Sequence, residues 1–96
     1  MIGPVAAVVV RKSLGTKGFH RVEKRDHEMY FYHLDGLRTS YWVKLSHGAK
    51  ELRTDEIKIN AKNLKTRGED LYKIIKCDYD VEETRNVVRA ALQEQR

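Results

Sequence analysis

Between Phe19 and Ser46 the chain reads as strands, with the apolar side chains of its last part alternating; before and after that stretch they recur every three or four residues. In Thr39 to Ser46, TSYWVKLS, Tyr41, Val43 and Leu45 fall on one face and Trp42 and Lys44 on the other, the alternation of a half-buried strand. Glu28 to Asp35, EMYFYHLD, is almost wholly aromatic or apolar and ends at Asp35-Gly36, a dipeptide that tolerates positive φ and so closes tight hairpins. Parity puts His27, Met29, Phe31 and His33 on one face of this strand and Tyr30, Tyr32 and Leu34 on the other. Both faces carry large side chains, so one of them is only half covered. Phe19 to Lys24 is shorter and mixed, and supplies a first strand. The three make an antiparallel meander.

The flanks read as helices. Gly3-Pro4 suits an N-cap and first helical residue, because proline there loses no hydrogen bond. Ala7, Val10 and Leu14 then share one helical face, with Gly15 or Gly18 as the stop. The run of β-branched valines favours a strand at the same place; helical spacing is the reading adopted. After His47-Gly48, Ile57, Ala61 and Leu64 follow at i, i+4 and i+7, with Asp55 and Glu56 where the helix dipole favours carboxylates. Gly68 separates this helix from a short one striped by Leu71, Ile74 and Ile75. Asp80 to Glu83, DVEE, has the form of a capping box opening a last helix along Val81, Thr84, Val88 and Ala91. The sequence thus predicts an α+β fold, α-β-β-β-α, a three-stranded antiparallel sheet with helices on one face and one or two further helices at the end. Residues 1–96 form a single domain, with 4–66 as the α-β-β-β-α unit and 67–96 as a helical extension.

Composition narrows the setting. The chain of 96 residues is 41% hydrophobic and 34% charged, ordinary for a folded domain rather than a disordered one. One cysteine, Cys77, excludes an internal disulfide and fits a reducing, cytoplasmic compartment; beside Ile74-Ile75 it reads as a packed or half-packed side chain. Pro4 to Val10, the longest apolar run, is too short to span a bilayer, so no membrane association is expected. The four histidines are scattered and none pairs with Cys77 at zinc spacing, so neither a metal nor another cofactor is expected. The net charge is +5, and the basic excess lies in the first two-thirds of the chain, whereas residues 68–96 are mildly acidic. A concentrated positive field attracts polyanions, RNA or DNA phosphate above all; a solvated lysine-rich surface is the plainer account.

Four features in order resemble the HicA-like family of mRNA-interferase toxins. They are LGTKGF at residues 14–19 ending the first helix, His27 heading the second strand, LSHGAKEL at residues 45–52 after the third, and the helix TDEIKINAKNLK at residues 54–65. The resemblance implies a double-stranded-RNA-binding-domain-like fold, toxin-type endoribonuclease (hydrolase) activity without metal, His27 as the catalytic residue, and a cognate antitoxin protein as partner. Arg25-Asp26 stands where the family has Gly-Ser, and the proline expected before the later histidine is missing.

Histidine suits RNA cleavage because its pKa lies near neutrality, so it can take a proton from a 2′-hydroxyl or give one to the departing 5′-oxygen. His47, in the second matching segment, is either a second proton carrier or a residue that holds the turn. Arg21, Arg25, Arg38 and Lys44 on or beside the sheet are the candidate phosphate contacts, Arg25 and Lys44 foremost, and Trp42 and Tyr30 are candidate base-stacking groups, at least one of them a core residue. His20 and His33 read as surface residues. The alternatives are a non-catalytic RNA-binding module and a protein-interaction domain using the aromatic sheet face. The oligomeric state is not legible.

Overall fold

The computed structural model describes residues 1–94. Its elements are β1 (Val5–Ala6), α1 (Ala7–Thr16), β2 (Phe19–Glu23), β3 (His27–Leu34), β4 (Leu37–Ser46), β5 (Glu51–Leu52), α2 (Thr54–Asn63), α3 (Gly68–Ile75) and α4 (Val81–Glu94). The α+β class and the three-stranded antiparallel sheet, in order β2-β3-β4, are as expected. A second, two-stranded sheet joins β1 to β5, and the sequence pattern gave no sign of it.

That small sheet corrects the expected start of the first helix. Val5 pairs with Leu52 and Ala6 with Glu51, and the Ala7 amide donates to the Lys50 carbonyl at 2.9 Å. Helix α1 therefore begins at Ala7 rather than at Gly3-Pro4. Within it Ala7, Val10, Ser13 and Leu14 are buried, while Val8 and Val9 face outward. The helical spacing wins over the β preference of the valines because burying every third or fourth residue satisfies the core.

The strands run slightly differently from their expected bounds: β2 stops at Glu23, β3 starts at His27 and ends at Leu34, and β4 starts at Leu37. Asp35 and Gly36 both take positive φ, +53° and +80°, as the expected hairpin turn requires. Between Phe31↔Trp42 and His33↔Arg38 the register shifts, because β4 carries two extra residues there. Thr39 stitches this bulge: its hydroxyl donates to the Tyr32 carbonyl at 2.7 Å and accepts from the Tyr41 amide at 3.2 Å.

One side of the sheet, carrying Phe19, Tyr30, Tyr32, Tyr41, Val43 and Leu45, is buried against the helices. Ile57 and Ala61 of α2, with Leu64 just beyond it, and Leu71, Ile74 and Ile75 of α3 belong to the same core, as do Val88 and Ala91 of α4. The helices past residue 67 therefore share the core of the sheet rather than hanging from it. Gly68, expected between two helices, is the first residue of α3, where a Cβ would come 2.8 Å from the Ile2 Cδ1. The Asp80 capping box is present: the Asp80 amide donates to Glu83 at 3.1 Å and the Glu83 amide to Asp80 at 2.8 Å.

Two helices stop without glycine. Lys65 (φ +59°) and Cys77 (φ +74°) are left-handed, each flanked by the paired backbone bonds of a Schellman motif: Thr66 to Ala61 and Lys65 to Lys62, then Asp78 to Lys73 and Cys77 to Ile74. This geometry turns Cys77 to solvent, correcting the expectation of a packed thiol. No helix among the described residues is long and apolar enough to cross a membrane.

Candidate functional site

The strand pairing assigns each side chain of the sheet to one of two faces. Opposite residues in an antiparallel ladder point the same way, so His20, Phe31 and Trp42 form one row across all three strands, and Val22, Met29 and Lys44 form the next. His27 pairs with Ser46, and His33 with Arg38, on the same side. This is the outer face, opposite the core. Its row of three is about 10 Å across, wide enough for two or three stacked bases.

The aromatic groups there are in mutual contact. Phe31 and Trp42 have ring centroids 6.2 Å apart, and the Arg38 guanidinium lies over the Phe31 ring at 3.5 Å. His20 and His33 stack with centroids 3.8 Å apart and planes 24° from parallel. Beyond Trp42 a groove of about 330 Å³ runs between β4 and α2, lined by Trp42, Lys44, Ser46, Glu56, Asn60 and Asn63. The two acidic residues of β2-β3-β4, Glu23 and Glu28, stand opposite each other in the ladder, at inner positions. The outer strand positions thus carry cations and rings but no acid.

The residues singled out from the sequence divide between locations. His27, Arg38, Trp42 and Lys44 share the outer face, His27 and Trp42 half-buried and the two cations exposed. Tyr30 is core, 3% exposed, which leaves Trp42 as the stacking candidate of the pair. Arg25 lies exposed in the turn from β2 to β3, where the Lys24 amide donates to the His27 carbonyl at 2.9 Å. Arg21 faces the other way, paired across the ladder with Tyr30. His47 also lies apart from the outer face. Its Nε2 is 2.8 Å from the Lys24 carbonyl, which can only accept, so that nitrogen carries the proton and braces the turn before His27.

Arg21 and His47 instead surround a centre that sequence reading missed, the Glu28 carboxylate. Glu28 is 2% exposed and accepts two bonds from Arg11, each 3.1 Å, and one from the Tyr30 hydroxyl at 2.6 Å. Arg21 lies 3.4 Å from it while also pairing with Glu23, and the His47 Nδ1 is 3.8 Å away. Burial pushes this carboxyl up, but the bonds from Arg11 and Tyr30 and the charges of Arg11 and Arg21 outweigh that and hold its pKa below the ordinary 4.5. The Tyr30 phenol moves the opposite way, to about 12, through burial and then through its bond to Glu28 and that group's charge. A carboxylate so enclosed and saturated is a clamp between α1 and the sheet, not a base open to substrate. The signal was present in the sequence: Glu28 has the parity of Tyr30 and Tyr32, which places a charge at an inward position.

What the outer face offers chemically is flat π surface, the cations Arg38 and Lys44, and three imidazoles, His20, His27 and His33. Among the described residues no cluster of His, Cys, Asp and Glu is arranged to hold a metal ion. Neither protein-family models, nor curated proteins, nor solved structures provide a match to this chain.

Proposed function

We propose that the protein binds single-stranded RNA on the outer face of the β2-β3-β4 sheet. The observation that carries this reading is the row His20–Phe31–Trp42, on the face opposite the core and bordered by Arg38 and Lys44 with no carboxylate at any outer strand position. Unpaired bases stack on exposed rings and on guanidinium planes, and phosphates pair with the adjacent cations. The order α1-β2-β3-β4-α2 supports a double-stranded-RNA-binding-domain-like scaffold underneath, with β1, β5, α3 and α4 as additions to it.

Trp42 is the one tryptophan of the sequence, so its fluorescence reports directly on that face. Titration with a single-stranded oligoribonucleotide is expected to quench it, with affinity falling steeply as salt rises. Lys44→Ala is expected to weaken binding and flatten the salt dependence. Absence of binding at low salt, or binding unchanged by Lys44→Ala, defeats the reading.

Cleavage is the second reading, favoured by the place of His27 on the same face as Lys44. Its imidazole takes the proton of a ribose 2′-hydroxyl, the 2′-oxygen bonds to phosphorus, and the bond from phosphorus to the 5′-oxygen breaks. That oxygen is then protonated, leaving a 2′,3′-cyclic phosphate and a 5′-hydroxyl. A cognate antitoxin protein covering this face is the partner such an activity requires. Incubation of RNA with the protein and a chelator is expected to give cyclic-phosphate ends that His27→Ala abolishes; intact RNA in both leaves binding alone.

A further inference from the structure

The outer face is not uniform along its length. One end, at Trp42 and Lys44, opens into the groove beside α2. The other, toward the Asp35-Gly36 turn, carries the stacked His20 and His33 with Arg38 opposite His33 in the ladder. Two imidazoles 3.8 Å apart repel if both are charged, and a neighbouring guanidinium adds to that repulsion. Partial burial first, then His20 and Arg38, hold the pKa of His33 below the ordinary 6.5.

The groups around this pair are few. On β2 the other outer position is Val22; on β3 they are Phe31, Met29 and His27; on β4 they are Trp42, Lys44 and Ser46 besides Arg38. Asp35 lies in the turn, and Arg89 of α4 borders Leu34 from the helix side. Asp35 sits beyond the end of the strands, and the charged groups that act on His33 are His20 and Arg38. An arriving anion therefore relieves repulsion among like charges. It also turns each ring, once protonated, into a donor at both nitrogens.

We propose that His20, His33 and Arg38 form the phosphate-gripping end of the face, where RNA binds with uptake of protons. The inference rests on the RNA-binding reading and adds its regulation: affinity rises as pH falls through the histidine range. The sign follows from linkage, since a bound polyanion raises the pKa of both rings and the complex holds more protons than the free partners.

The test is the dissociation constant of a single-stranded oligoribonucleotide of about ten nucleotides. It is measured by fluorescence anisotropy at fixed ionic strength at about pH 6 and about pH 8. The native protein is expected to bind about tenfold tighter at the lower pH. The double variant His20→Asn, His33→Asn is expected to lose most of that difference, keeping only what His27 contributes, and to bind at both about as weakly as the native protein at the higher pH. His47→Gln, on the other side of the sheet, is expected to keep the native pH dependence. On the native protein, NMR titration of the ring resonances of His20 and His33 is expected to show both pKa values rising when RNA is added, a readout independent of how the variants fold. Affinity independent of pH, or pH dependence undiminished in the double variant, overturns the proton-linked grip and leaves the RNA reading intact. Failure to bind RNA at either pH overturns both.

Discussion

Strand β3 places two environments within one residue of each other. Three of its inward side chains, Glu28, Tyr30 and Tyr32, are at most 3% exposed, and the first two close a charge network with Arg11. Its outward ones, His27, Met29, Phe31 and His33, are half-buried. The same aromatic and ionisable residue types occur on both sides. What differs is that the inner groups are buried and saturated by one another, whereas the outer rings touch one another and Arg38 but stay partly open to solvent, with Arg38 and Lys44 exposed. The proposed function follows this difference, since charge and aromaticity can meet a ligand only where packing leaves them unspent. The adjacent pair Tyr41 and Trp42 repeats the contrast on β4: Tyr41 is fully buried, its hydroxyl 2.8 Å from Thr66, while Trp42 borders the groove.

The contrast is broken most forcefully at Tyr41. Tyr41→Ala is expected to lower the unfolding free energy by about 4 kcal/mol, measured by urea denaturation, because it empties a core site on the inner face. Next comes Glu28→Gln, expected to lose about 3 kcal/mol by the same measurement, since Arg11 then keeps its charge without its partner. The pH dependence sharpens this. With its folded pKa lowered, Glu28 contributes fully above its ordinary value of 4.5 and loses that contribution as pH falls through the lowered value. The gap in unfolding free energy between the native protein and Glu28→Gln is therefore expected to shrink on acidification below 4.5. A gap that widens there contradicts the network described. On the outer face the expected effect moves from stability to affinity: Trp42→Ala weakens RNA binding by about 2 kcal/mol in an anisotropy titration, while its urea midpoint falls far less than that of Tyr41→Ala. The smallest effect expected is a gain. Cys77→Gly relieves a left-handed non-glycine residue and adds about 1 kcal/mol of stability by denaturation, leaving RNA affinity unchanged.

Much of the scaffold was legible because its signals are local. Asp35-Gly36 specifies a turn through its own φ preferences, Asp80 and Glu83 cap a helix through groups three residues apart, and the alternation of Tyr41, Val43 and Leu45 needs no partner to be read. The misreadings share the opposite property. Helix α1 starts late because Val5 and Ala6 bond to residues more than forty positions away. Cys77 is exposed because a Schellman turn, not its apolar neighbours, sets its direction. The candidate site was legible in its parity and not in its assembly. His27, Trp42 and Lys44 follow from alternation along each strand, whereas the separation of Arg21 and His47 from them depends on register and on the turn after β4.

By itself, then, the order of residues determined the three strands β2-β3-β4, the four helices and which side chains share a face, though not the β1-β5 pair, because helical and strand periods act over a few positions. Tertiary structure alone decided which of two chemically similar faces stays open. It put Glu28 within reach of Arg11, seventeen residues away, and brought His20 onto His33 across a strand pair. Those contacts arise from sheet register and helix packing, which depend on the whole core at once and leave no short-range trace in the chain.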